Sequence, residues 1–234
     1  MPLASKRKLR KLNCKLTQPF KGAVAIQFDT QRQMLQVMTR YEILDSYKAK
    51  LKLNPAWSRR LLGRKLDAYW KEHYEWTHIQ GMAVKGNHFD DTFASARLTS
   101  HDRALRRLFL RHGITSLKGQ TVIATFTRLH KGIYKHELTH FLCNKYSVYK
   151  QGMASIIAKY NVTLLKEKLR ALMYPEANLV EEVNAFFVCT GKVACLKDLG
   201  LSSDEIKKYS KRFARLHKEL TIHHRNFVST YATQ

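Results

Sequence analysis

Helical spacing of apolar residues dominates the chain, and four short runs of strand character interrupt it. Gly22 to Phe28 (GAVAIQF), Met82 to Lys85 and Ala94 to Thr99 read as short strands, and Thr121 to Thr127 (TVIATFT), opened by Gly119, is the strongest of the four. Helices are expected from about Thr30 to Leu51 and from Ala56 to about His78. The second carries Trp57, Tyr69, Trp70, Tyr74 and Trp76 at spacings that suit burial on one side. Ser100 is placed to cap a short basic helix that Gly113 ends. Further helices are expected at about Lys131 to Tyr146, Gly152 to Tyr160, Val162 to Leu172 and Pro175 to Cys189. The capping box Ser202-Ser203-Asp204-Glu205 opens a last helix running to about Val228. The fold class is therefore α+β, mostly helical, with a small sheet and additional helices at both ends. Three regions are expected: a basic amino-terminal arm (1–21), a mixed helical region (22–118), and residues 119–234, which form one compact domain with 22–118 or stand apart from it.

At 234 residues, 44% apolar and 11% aromatic, the chain is long and apolar enough to bury a core. No run approaches the roughly 18 uncharged apolar residues of a membrane span. The amino terminus lacks the apolar stretch of a secretory signal. Cys14, Cys143, Cys189 and Cys195 form no CxxC pair, so free thiols in a reducing intracellular compartment, cytoplasm or nucleoid/nucleus-associated, are expected.

Charge changes the picture. Forty-two Lys and Arg against 18 Asp and Glu give a net charge of +24, which points to an anionic partner. Residues 1–28 hold seven basic side chains and no acid, and Arg103 to His136 hold eight and none. Lys6, Arg7, Lys8, Arg10, Lys11, Arg103, Arg106 and Arg107 are the candidate nucleic-acid contacts. No base-reading motif accompanies them, so such binding is expected to be sequence-independent.

The sharpest chemistry lies at His136-Glu137-Leu138-Thr139-His140. Two histidines four apart on a helix lie about 40° apart around its axis and one turn along it, so both imidazoles reach one point. Glu137, about 100° around from His136, reaches a water at that point without having to ligate. HExxH arises by chance roughly 0.02 times in a chain of this composition, which favours a metal over two core histidines. Helical projection agrees: Tyr134, Leu138, Phe141 and Leu142 form the main apolar stripe, and His136, His140, Ile133 and Cys143 lie on the other side. Catalytic zinc takes three protein ligands and keeps one position open. Glu181 and Glu182, in NLVEEVNAFFVC, are the leading candidates for the third. Glu182 falls in the middle of an apolar face, where an unpaired carboxylate is costly, and is preferred for that reason. Cys143 is a weaker candidate ligand, and Tyr160, Tyr174, His223 and His224 are candidates to support an oxyanion.

The HExxH motif followed by Glu182-Val183-Asn184-Ala185 resembles the gluzincin metallopeptidases, in which a later helix carries a glutamate ligand, often as ExxA. The resemblance covers about residues 119 to 190, including TVIATFT as the strand before the motif helix. It implies a zincin-like sheet beside an active-site helix, Zn2+ held by His136, His140 and Glu182, Glu137 as general base, and a protein or peptide substrate. Phe186 replaces the small polar or acidic residue that commonly follows ExxA. The metzincin pattern HExxHxxGxxH is absent. The competing reading is a non-catalytic nucleic-acid-binding or packaging protein with a structural or relic site.

Overall fold

The computed structural model describes residue 12 and residues 14–47, 81–94, 98–126, 131–172, 174–189, 196–197 and 199–231. The chain is mostly helical, with a small mixed four-stranded sheet. It divides into two compact units, residues 1–18 with 22–128, and residues 19–21 with 129–234.

The first unit is built on the sheet, in the order β1-β2-β4-β3. Its strands are β1 (Cys14–Phe20), β2 (Ala23–Phe28), β3 (Met82–Lys85) and β4 (Thr121–Phe126). β4 is central, and five of its six residues are buried. That double-sided burial explains its near-continuous apolar run. It pairs in parallel with β2, from Ala23 opposite Thr121 to Phe28 opposite Phe126, and antiparallel with β3, from Met82 opposite Ala124 to Lys85 opposite Thr121. Because β4 is bonded to both of these strands it belongs to this unit, and the division falls after residue 128, not near 118.

Three helices complete the unit: α1 (Gln31–Tyr47), α2 (Asn87–Phe93) and α3 (Ser100–Arg111). Met34, Met38, Tyr41, Phe89, Leu105 and Phe109 close the core against Val24, Ile26 and Phe28. Tyr41 stacks on Phe89 at 4.0 Å between ring centroids, and its hydroxyl donates to Asp102 Oδ1 at 2.7 Å. Asp102, fully buried, is also the acid of a capping box. Its Oδ2 accepts from the Thr99 amide and hydroxyl, both at 2.7 Å, while its own amide donates to Thr99 Oγ1.

Several expectations need correction here. The cap of α3 is Thr99, with Ser100 already helical, because Asp102 stands three residues after Thr99 as the box requires. The strand expected over Ala94 to Thr99 is not formed at its ends: Ala94 caps α2 and Thr99 caps α3. β1 lies within the stretch read as a basic arm. It sits at the sheet edge, a place that tolerates Pro19, and only Leu16 and Phe20 are buried. The aromatic helix expected over 56–78 and the arm residues Lys6, Arg7, Lys8, Arg10 and Lys11 lie outside the described residues, as does Cys195.

The second unit is helical: α4 (Lys131–Lys145), α5 (Ser147–Ala158), α6 (Thr163–Ala171), α7 (Leu179–Cys189) and α8 (Ser203–Tyr231). α7 is its hub, packed against α4, α5, α6 and α8. Only Tyr146, in an extended conformation, separates α4 from α5, so α5 starts five residues earlier than expected. Pro175 opens a single 3-10 turn, Glu176–Asn178, before α7 begins. The capping box at the head of α8 is formed: the Ser202 amide donates to Glu205 Oε2 at 2.7 Å, and the Glu205 amide donates to Ser202 Oγ at 3.2 Å.

Candidate metal centre

α4 presents His136 and His140 one turn apart while Leu138, Phe141 and Leu142 anchor it in the core. The two imidazole rings lie 4.9 Å apart, nearly perpendicular. Opposite them α7 brings Glu182, whose carboxylate is almost wholly buried. Its Oε2 stands 3.4 Å from His136 Nε2, and its Oε1 stands 3.5 Å from His140 Nε2. One ligand atom from each of the three residues lies within 4.8 Å of the others, a group that can hold a metal ion.

The two histidine–carboxylate distances are those of ligands sharing one small ion. Ligands about 2.0–2.1 Å from one centre stand roughly 3.3–3.4 Å apart at tetrahedral angles. A second observation points the same way: Glu182 Oε2 is buried and makes no well-formed hydrogen bond, with only His136 Nε2 beside it at 3.4 Å, and a buried carboxylate oxygen so thinly satisfied is costly. The residues present therefore fit a bound cation.

Glu181 and Glu182, adjacent in sequence, do different things. Glu181 Oε1 accepts from His140 Nδ1 at 2.6 Å, on the side of the ring away from Glu182. That bond holds a proton on Nδ1 and turns Nε2 toward the cluster, the role of a carboxylate behind a metal-ligating histidine. Nothing in the sequence assigned Glu181 to it.

Three carboxylates surround two imidazoles. Burial alone pushes His136 down, but its polar contacts with Cys189 and Glu182 and the charges of Glu137 and Glu182 outweigh it and bring the imidazole up to about 10. His140 is likewise raised: burial works against it, and the hydrogen bond to Glu181 and the charge of Glu182 prevail. Glu137, also buried, is raised by burial and by Glu182 against the two histidines. The cluster has an excess of negative groups in a protein of net charge +24.

Aromatic residues frame the group. Phe186 sets its ring edge-on to His136 at 5.0 Å, and Tyr174 packs edge-on to Phe186 at 6.2 Å. The position where a polar residue follows ExxA in the resembled family is thus filled by a ring that packs on a histidine. The Tyr174 hydroxyl is pushed up by burial and by the charges of Glu182 and Glu137, so it remains an O–H donor.

The other oxyanion candidates are engaged elsewhere. Tyr160 donates to Glu219. His223 Nε2 meets the Tyr149 carbonyl at 3.1 Å, and His224 Nδ1 accepts from the Tyr149 hydroxyl at 2.9 Å. Burial, Lys135 and His223 bring His224 down to about 4, consistent with a neutral acceptor. Cys143 is buried, its thiol raised by burial, and it is not among the three converging residues. Arg103, Arg106 and Arg107 are exposed on α3, in the other unit, and Arg103 donates to the Leu98 carbonyl at 2.7 Å.

Comparison of the chain with models of protein families, with curated proteins and with solved structures yields no match.

Proposed function

We propose that the chain is a zinc-dependent metallopeptidase whose metal is held by His136, His140 and Glu182. The observation that carries this reading is the convergence of the three groups on one point, with a buried oxygen of Glu182 that makes no well-formed hydrogen bond there. Two nitrogens and one carboxylate are the donor set of a catalytic zinc that keeps its fourth position for water, and the donor set supports zinc over a hard cation that takes oxygen alone. When bound, the ion supplies Lewis-acid polarisation of a peptide carbonyl and a more acidic water.

The chain's own residues do the rest. Glu137, next to His136 and within the charge field of both histidines, takes a proton from the water and returns it to the leaving amine. Glu181 fixes the ring orientation of His140. Tyr174, kept protonated by burial and by the charges of Glu182 and Glu137, is the proposed donor to the carbonyl oxygen as negative charge develops on it. The gluzincin resemblance of HExxH and ExxA, with its zincin-like sheet and helix, belongs to the same reading.

Glu137→Gln tests it. Zinc stoichiometry by elemental analysis should stay at that of the wild type, while cleavage of a quenched fluorescent casein should fall by about 10²–10⁴-fold, the usual contribution of a general base. Cleavage that continues undiminished in this variant sinks the proposal.

A further inference from the structure

A basic surface that the sequence reading did not single out runs along α8. Its apolar residues Phe213, Leu216, Leu220 and Phe227 are buried, and α8 packs on α5 and α7. At 100° per residue, Lys207, Lys211, Arg215, Lys218 and Arg225 fall within about 80° of one another on the opposite side, and all five are exposed. Lys207 and Arg225 are 18 residues apart, so the stripe is roughly 27 Å long at the helical rise. Lys208 and Arg212 widen it, each lying 5.5 Å from the Tyr209 ring.

Acids do not cancel this charge. Between Ile206 and Tyr231 the helix has one, Glu219, and that carboxylate is taken by Lys159 and Tyr160. Glu205 is occupied by the Ser202 cap and by Lys168. Asp204 stands in the first turn, before the stripe begins. Among the described residues none of the five stripe cations makes an ion pair.

We infer that this face of α8 binds the phosphate backbone of nucleic acid without regard to sequence. A long row of unpaired cations matches a polyanion of regular charge, and release of condensed counterions drives such binding. A membrane surface is disfavoured because an interfacial helix must offer apolar side chains beside its cations, and Ile222 is the single exposed large apolar residue described on α8. An acidic protein is disfavoured because a stable protein interface needs a desolvated aromatic or aliphatic centre, which the stripe lacks. The inference does not depend on the zinc site.

The test uses the full-length protein and a fluorescein-labelled 24-base-pair DNA duplex of mixed sequence, followed by anisotropy from 50 to 200 mM KCl. Wild type should bind, with log K falling linearly in log [KCl]. Removing three phosphate contacts, in Lys211→Gln/Arg215→Gln/Lys218→Gln, should reduce the slope by about 2.7. Wild type should then lose about forty-fold more affinity than the variant over that salt range. Lys211→Arg/Lys218→Arg should keep the wild-type slope, and Glu137→Gln should leave it unchanged. If the triple variant does not fold, Arg215→Gln alone should lower the slope by about 0.9. An unchanged slope in the glutamine variants, or no duplex binding by wild type, overturns the inference. So does a loss confined to phosphatidylserine vesicles or polyglutamate while duplex binding stays intact.

Discussion

Replacing Glu182 by Gln tests the metal centre through stability, independently of any substrate. A metal that binds only the folded state stabilises it by RT ln(1 + [L]/Kd), about 4.1 kcal/mol at a free zinc concentration 1,000 times Kd. Gln keeps the shape of Glu182 but withdraws the charge facing His136 and His140 at 3.4 and 3.5 Å. If that lowers affinity by about 100-fold, the same zinc concentration is only 10 times Kd and contributes about 1.4 kcal/mol. The difference of about 2.7 kcal/mol corresponds to a zinc-induced rise in Tm smaller by about 5–11 °C for a chain of this size. Glu181→Gln removes the hydrogen bond behind His140 and not a ligand. A tenfold loss of affinity leaves it at 100 times Kd, with about 2.7 kcal/mol retained. Thermal unfolding of chelator-stripped protein, by circular dichroism with and without zinc, should therefore rank the shifts wild type, then Glu181→Gln, then Glu182→Gln. A full wild-type shift in Glu182→Gln, or a greater loss in Glu181→Gln than in Glu182→Gln, refutes the assignment of the third ligand.

Two further predictions concern the fold. His224 is held at about 4 in the folded protein against 6.5 unfolded, so the unfolded chain binds the proton first as pH falls; the stability it contributes is complete above pH 6.5 and is lost between there and about 4. Urea unfolding at pH 7 and pH 4.5 should show about 2–3 kcal/mol more loss in wild type than in His224→Gln, and equal losses would refute the assignment. Asp102→Ala removes the carboxylate half of the α3 capping box, taking an acceptor from the Thr99 amide and from the buried Tyr41 hydroxyl. It should cost about 2–4 kcal/mol in urea unfolding, and a cost below about 1 kcal/mol would contradict the described role of Asp102.

What the sequence determined by itself is local. The repeat of four between His136 and His140 sets their relative direction wherever the helix is placed, and burial of an acid in an apolar stripe marks Glu182 as a group that needs a cation. β2, β3 and β4 were legible because their apolar runs are short and β-branched or bounded by turns, and the head of α8 because its capping box is a contact between near neighbours. β1 and α2 were not: β1 shows the core only two side chains, and seven-residue α2 is too short to display a period.

The tertiary structure decided everything that depends on two helices meeting. The packing of α4 on α7 sends Glu182 toward both Nε2 atoms and Glu181 behind His140, a division of labour that no spacing within NLVEEVNAFFVC encodes. The same packing laid Phe186 against His136, while α8 and α5 engaged His223 and His224 with Tyr149. Periodicity fixes angles around one axis; where two axes cross depends on side chains distant in sequence packing together, and that is settled only when the chain folds.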